Sequence, residues 1–257
     1  METKKLIRKL YKKYPAKIAK KYHDYVGIMV NCLPESVNKI VLCLDVTKKV
    51  IEEAISQKAD LIISHHPFLY GKKSFILKND ERKKQMYDTL LANKISVYSF
   101  HTNFDEGKDG MNDALSEALE LDNIQPFEKV PMGRKGSLKE EMDIDDFAHY
   151  ALKKLNLQYG QLIKNGKQKI KNVGIIGGSG SRDAFTCLNE GIDIFLSGDT
   201  PYHIRKELQE RNLNYLHVDH EVEIIFCKQM KKVLLSIDSS LKIIVVNDVK
   251  QIDLITL

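Results

Sequence analysis

The sequence predicts an α/β protein built as two lobes. Short apolar runs recur along the chain at 41–45, 59–63, 95–100, 173–176, 192–197, 214–218 and 243–246. Runs that are apolar throughout suit parallel strands buried on both faces. Segments with helical spacing of apolar residues lie between them, the alternation expected of right-handed strand–helix–strand units. Histidines and carboxylates gather just after several of these runs, and in open α/β sheets functional groups collect at the carboxyl ends of strands.

Residues 3–22 read as a basic amphipathic helix with Leu6, Leu10 and Tyr14 on its apolar stripe, interrupted at Pro15. Residues 26–30 form a strand-like run, and 41–45 form a buried strand. Thr47 is placed to cap a helix over 48–58, on which Val50, Ile51, Ala54 and Ile55 share one face. The strand 59–63 follows. Residues 75–79 read as a loop, 81–93 as a helix with Met86, Leu90 and Leu91 inward, and 95–100 as a strand. A turn at 107–110 leads to a helix over 111–120. Beyond about residue 123 the pattern restarts, with a turn at 133–137, a helix over 144–155, and a strand with a basic turn over 160–169. The strand 173–176 runs into Gly177-Gly178-Ser179-Gly180-Ser181. Helices over 182–189, 203–211 and 221–235 alternate with strands 192–197, 214–218 and 243–246. The expected lobes are 1–127 and 128–257, joined near 123–135.

The 257 residues are enough for two cores. Hydrophobic content of 43% and charged content of 29% describe an ordinary globular protein. The net charge of +5 arises from 40 basic against 35 acidic residues, so nucleic acid is only a weakly supported partner. Cys32, Cys43, Cys187 and Cys227 form no CxxC pair and have apolar flanks, which predicts buried free thiols and a reducing compartment. The chain opens on a charged helical pattern, and no apolar stretch approaches the ~18–20 residues that span a bilayer. A cytoplasmic protein without a membrane partner is expected.

The chemistry centres on three clusters. Ile63-Ser64-His65-His66-Pro67 puts two imidazoles where a buried strand breaks, and neutral imidazole is a common ligand for transition metals. Alone, the pair equally fits a solvated polar corner. His101-Thr102-Asn103-Phe104-Asp105 delivers a third histidine and a carboxylate after another strand. The segment His217-Val218-Asp219-His220-Glu221-Val222-Glu223 adds a third set. There, His220 with Glu223 has the i,i+3 spacing that shares a helix face, as does His217 with Glu221 at i,i+4 if the helix starts early. A polar helix cap is the plainer reading of that segment. Together the clusters supply more ligands than one ion needs, and suit two divalent ions on the order of 3.5–4 Å apart. Nitrogen and oxygen donors without thiolates point to Zn, Fe, Mn or Ni.

These motifs resemble the NGG-interacting-factor-like dinuclear-metal proteins, the GTP cyclohydrolase 1 type 2 homologues. The resemblance spans nearly the whole chain: Tyr25-Val26-Gly27-Ile28 (with Tyr25 where Asn is usual), Leu44-Asp45-Val46-Thr47, the histidine pair, His101 to Asp105 with Gly110-Met111-Asn112-Asp113, Lys135-Gly136, Gly174 to Gly180, and Ser197-Gly198-Asp199-Thr200-Pro201-Tyr202-His203. It implies two α/β lobes with a dinuclear metal site in the cleft between them, and commonly a ring-shaped homohexamer. It implies that His65, His66, Asp105, His220 and Glu223 hold the metals, with His101 nearby. The family's last motif usually reads Gly-His with Glu four residues on; here Asp219 precedes His220, and Glu223 lies three residues on.

The expected function is a metal-dependent hydrolase acting on a nucleotide or related small molecule, with His101 as orienting group or proton shuttle. His203, Asp199 and the 177–181 loop are further candidates, the loop as an anion cradle or as a packing turn. The alternative is a non-catalytic metal-binding, metal-delivery or protein-interaction scaffold. Nucleic-acid binding in the hole of a ring is a weaker option.

Overall fold

The computed structural model describes residues 1–32 and 34–249. Among them, the strands are β1 (Gly27–Val30), β2 (Lys39–Cys43), β3 (Leu61–Ser64), β4 (Ser96–Ser99), β5 (Asp122–Pro126), β6 (Arg134–Asp143), β7 (Gln161–Ile163), β8 (Lys169–Ile175), β9 (Ile194–Ser197), β10 (Asn214–His217) and β11 (Lys242–Val245). They form a five-stranded and a six-stranded sheet. The chain divides into two compact units, Met1–Phe104 with Phe226–Leu257, and Asp105–Ile225. This differs from the expected split after residue 127. The end of the chain returns to the first unit because β11 pairs in parallel with β2, Ile244 opposite Val41. Such a return cannot be read from the order of elements.

In the first unit the strand order is β1-β4-β3-β2-β11. β2, β3, β4 and β11 run parallel, and β1 is antiparallel to β4. Val41, Ile62 and Val97 are fully buried, packing with Val50, Ala54 and Leu90 from the helices Lys48–Ser56 and Glu81–Ala92. Thr47 caps the first of these by accepting from the Val50 N–H at 3.2 Å, and Asp80 caps the second through the Lys83 N–H at 2.9 Å. Pro15 separates the helices Thr3–Lys13 and Ala16–Lys21. Residues 75–79 are helical, within Lys73–Asn79. Its apolar residues, Phe75, Ile76 and Leu77, are consecutive, so they show no helical spacing, although Ile76 and Leu77 pack against the core.

Two features of this sheet position the site. The parallel strands β2, β3 and β4 end at one edge, which gathers Asp45, His65, His66 and His101. Antiparallel β1 sets Gly27 opposite Ser99, so the residues before Gly27 lie beside those after Ser99. Asp24 thereby meets His101.

In the second unit the order is β5-β6-β8-β9-β10-β7, with β8, β9 and β10 parallel and the remaining pairs antiparallel. β5 and β6 occupy the stretch expected to be a junction and turn. β6 is polar and half-exposed and its register breaks between Ser137 and Met142, so it lacks the apolar run of a buried strand. Residues 182–189 are not one helix but a 3₁₀ turn (Ser181–Asp183), a short helix (Ala184–Cys187) and a second 3₁₀ turn (Leu188–Glu190). The long C-terminal helix Ile225–Ile237 is preceded by a 3₁₀ segment, His220–Ile224.

Cys43, Cys187 and Cys227 are buried free thiols, and Cys32 is half-buried. Burial pushes the Cys187 and Cys227 thiols up to about 12, which keeps them unreactive. Among the described residues, no helix is long and apolar enough to cross a membrane.

Candidate metal-binding site

The first unit brings together three imidazoles. His65 and His66 leave the end of β3, and His101 leaves the end of β4. Their ring centroids are 5.0–5.6 Å apart, and each offers a ligand nitrogen within 4.8 Å of the others. Each ring is held from behind through Nδ1. The Nδ1–H of His65 donates to the Phe100 carbonyl at 2.9 Å. His66 Nδ1 meets Asp45 Oδ1 at 2.9 Å, and His101 Nδ1 meets Asp24 Oδ2 at 2.8 Å. A carbonyl or carboxylate can only accept, so the proton sits on Nδ1 and the lone pair on Nε2. Orientation by an acceptor on the far nitrogen is the usual arrangement of metal-bound histidine.

The surroundings reinforce this geometry. His65 is fully buried against Phe104 and Phe226, whose ring centroids lie 6.4 and 5.1 Å away. Asp24 also accepts from Thr102 Oγ1 at 2.7 Å and from the Tyr25 N–H at 2.7 Å. Burial raises the Asp24 carboxyl, but the bonds from His101, Thr102 and Tyr25 outweigh it and hold the group below its ordinary range.

The second unit repeats the device at the ends of its own parallel strands. Asp199 follows β9, and His220 follows β10. His220 Nδ1 meets Asp199 Oδ2 at 2.7 Å, and its Nε2 lies 3.0 Å from Glu223 Oε2. The 3₁₀ turn stacks residues three apart, which makes this i,i+3 pair close. The bond from Glu223 outweighs burial and, with Asp199, pushes the His220 imidazole up to about 9. Glu223 is buried, as is Asp105 on the short helix Thr102–Glu106, and the two bring carboxylate oxygens within 4.8 Å of each other.

Asn112 ties the backbone of Asp105 to the glycine loop. Its Nδ2 donates to the Asp105 carbonyl at 3.3 Å and to Met132 O at 3.0 Å, while its Oδ1 accepts from the Gly177 N–H at 2.8 Å. Gly178 supplies clearance. Its φ is +62°, and a Cβ there would lie 2.2 Å from Glu223 Oε1 and 3.2 Å from His220 Nε2.

Several expectations are redistributed. His217 bonds Thr200 Oγ1 at 2.8 Å through Nδ1 and lies within the β10 ladder, opposite Ser197 and Gln161. Burial lowers its imidazole pKa. Glu221 is in none of the candidate ligand groups among the described residues. The neighbouring Asp219 bonds the Tyr159 hydroxyl, which with burial pushes that hydroxyl up to about 12. His203 is exposed on the helix Tyr202–Gln209. The 177–181 loop uses two of its N–H groups internally, Gly177 to Asn112 and Gly180 to Ser197 Oγ at 2.9 Å, so it serves packing more than anion binding. The orienting carboxylates Asp24 and Asp45, and the role of Asn112, were not assigned from the sequence. Asp45 and Asn112 stand inside the motifs Leu44–Thr47 and Gly110–Asp113, which is the sequence signal for them, whereas Asp24 lies outside any motif.

Parallel-strand units that end in oriented histidines and buried carboxylates define an α/β protein with candidate His/Asp/Glu metal-binding groups. The chain belongs to the Duf34/NIF3 (NGG1p interacting factor 3) family, whose profile it matches over residues 1–251. It is 32% identical over 235 residues to a GTP cyclohydrolase 1 type 2 homolog of Clostridium perfringens, covering 88% of this chain and 89% of that protein. It is 27% identical over 225 residues to NGG1-interacting factor 3 of Saccharomyces cerevisiae, covering 77% and 78% respectively. A Bacillus cereus protein related to NIF3 shares the fold with a TM-score of 0.85 at 21% identity, over 100% of this chain and 99% of that one.

Proposed function

We propose that this chain is a metal-dependent hydrolase that binds two divalent ions from among Zn, Fe, Mn and Ni and acts on a nucleotide or related small molecule. The observation that carries the proposal is the shared orientation of four histidines: His65, His66, His101 and His220 each bond an acceptor through Nδ1. His149 and His217 also bond through Nδ1, but among the described residues only these four rings also offer a ligand atom within 4.8 Å of other candidate ligands. The donor set fits such ions, since it is all nitrogen and carboxylate oxygen with no thiolate.

His65, His66, Asp105, His220 and Glu223 would hold the ions. When bound, divalent ions of this kind acidify water and polarise a carbonyl or phosphoryl oxygen. His101 takes the proton-handling role. Asp24 fixes its Nδ1–H and stabilises the imidazolium, so Nε2 is the atom that accepts or returns a proton. The nucleotide class rests on the name borne by relatives such as the Clostridium perfringens GTP cyclohydrolase 1 type 2 homolog. A ring-shaped homohexamer is proposed from the same resemblance, and sedimentation mass tests it.

The function is tested by incubating protein purified without chelator with nucleotides, phosphoesters and cyclic amides. Turnover of at least one class, falling at least 100-fold in both His65→Ala and Glu223→Gln, is expected. Glu221→Gln should fall far less. Metal-replete protein that turns over none of these would overturn the hydrolase reading in favour of metal binding or delivery. Turnover that survives both substitutions would overturn the residue assignment.

A further inference from the structure

We propose that the cavity beside Asp24 in the first unit is a subsite for an anionic aromatic ligand of mononucleotide size. The cavity measures about 280 Å³, and its lining includes Lys20, Asp24, Tyr25, Ile28, Leu69 and Lys73. Small-molecule pockets start at roughly 300 Å³, so this one sits at the lower bound and has room for at most a mononucleotide, not a whole nucleoside triphosphate.

The lining has an aromatic side and a cationic side. Tyr25 is 44% exposed, and its ring contacts that of Tyr70, itself 64% exposed, with centroids 5.4 Å apart at 65°. Ile28 is exposed beside them. Large apolar side chains left in water around a cavity mark a place where something binds. A tyrosine face accepts any planar base, because every base presents a π-face.

The charge selects an anion. Lys73 stacks over the Tyr87 ring at 4.3 Å and donates to the Tyr87 hydroxyl, contacts that fix its ammonium without neutralising it. Lys20, in the last turn of the basic helix Ala16–Lys21, lines the same cavity, and no carboxylate pairs with it among the described residues. The one carboxylate in the lining is Asp24, and its oxygens already accept from His101, Thr102 and the Tyr25 N–H. Two ammonium groups thus face a carboxylate committed elsewhere, and lysine binds phosphate as a point charge. Tyr25 is also where the chain departs from the motif it otherwise resembles.

Asp24 links the cavity to the histidines, because the carboxylate that lines it also holds His101. Describing the occupant as substrate rests on the hydrolase reading; its binding does not. The test is calorimetric titration of the metal-replete full chain with guanosine 5′-monophosphate, and separately with guanosine and with inorganic phosphate. The nucleotide should bind at least ten-fold more tightly than either half. Tyr25→Ala and Lys20→Ala should each weaken it at least five-fold, Tyr25→Phe should restore it, and metal content should stay at the wild-type level in all three. Affinity within two-fold of wild type in both alanine variants would overturn the subsite, as would phosphate binding as tightly as the nucleotide. Protein that holds no metal when purified without chelator, turns over none of the substrates above and still binds the nucleotide through Tyr25 and Lys20 would remove the hydrolase reading and leave the subsite standing. Protein holding two ions whose nucleotide affinity ignores both residues would do the reverse.

Discussion

Gly178→Ala separates backbone strain from damage to the ligand set. Gly178 sits at φ +62°, where an L-residue costs roughly 1–2 kcal/mol. Its new Cβ would lie 2.2 Å from Glu223 Oε1 and 3.0 Å from Glu223 Cδ. Since unbonded heavy atoms settle at roughly 3.5 Å, the Glu223 carboxylate must retreat by about 1 Å. Disturbing the support of a metal ligand typically costs about 10–100-fold in metal affinity. Gly191 provides the control, because it has a similar left-handed φ of +80° but a Cβ there meets nothing within 4 Å. Gly191→Ala should lose only the backbone-strain share of thermal stability, about 2–4 °C per kcal/mol in a chain of this size, and Gly178→Ala should lose more because it adds the clash with buried Glu223. Only Gly178→Ala should lose metal, read as ion content after dialysis against a graded series of a weak chelator. Equal metal retention by the two variants would refute the claim that Gly178 makes room for a ligating Glu223.

Asp45→Ala and Asp24→Ala free the rings of His66 and His101, and Asp45→Ala should lower metal affinity about 10–100-fold in the same dialysis series; wild-type retention would show that the aspartate does not orient a ligand. Asn112→Leu leaves the Asp105 carbonyl without its Asn112 bond and the Gly177 N–H without its acceptor, so chemical denaturation should show a loss of about 2–4 kcal/mol. Asn112→Asp keeps an acceptor for Gly177 but turns a buried carboxylate oxygen onto the Asp105 and Met132 carbonyls, so it should lose at least as much, and a near-wild-type Asn112→Asp would contradict the donor role of Nδ2. In chelator-stripped protein, His220 is raised from its ordinary 6.5 to about 9, so its contribution is complete below pH 6.5 and is lost as pH rises through 9. Melting temperature should therefore fall across that window in stripped wild type and less in stripped His220→Gln; identical pH profiles would contradict the pairing with Glu223.

Much of the architecture is legible in the chain. Buried parallel strands such as Leu61–Ser64 and Ile194–Ser197 are apolar or small throughout, and every residue in both is buried. Pro15 and Thr47 act locally, as a helix break and a helix cap, so their effects need no tertiary knowledge. What the sequence conceals is long-range or polar. β6 carries Lys, Glu and Ser where a buried strand would carry valine, and the return of β11 to β2 spans about two hundred residues. At the candidate site, histidines advertise themselves by residue type. The residues that aim them do not, because Asp24 reaches His101 only through the antiparallel pairing of β1 with β4. The choice between Glu221 and Glu223 turns on a 3₁₀ turn, whose three-residue period a helical reading from Glu221 leaves out.

The most direct measurement is elemental analysis of the full chain purified without chelator or affinity metal. About two divalent ions per chain are expected, falling in His65→Ala and Glu223→Gln while both variants stay folded. One ion or none in the wild-type protein, or two ions in both variants, would contradict the assignment of these histidines and carboxylates to a two-metal centre.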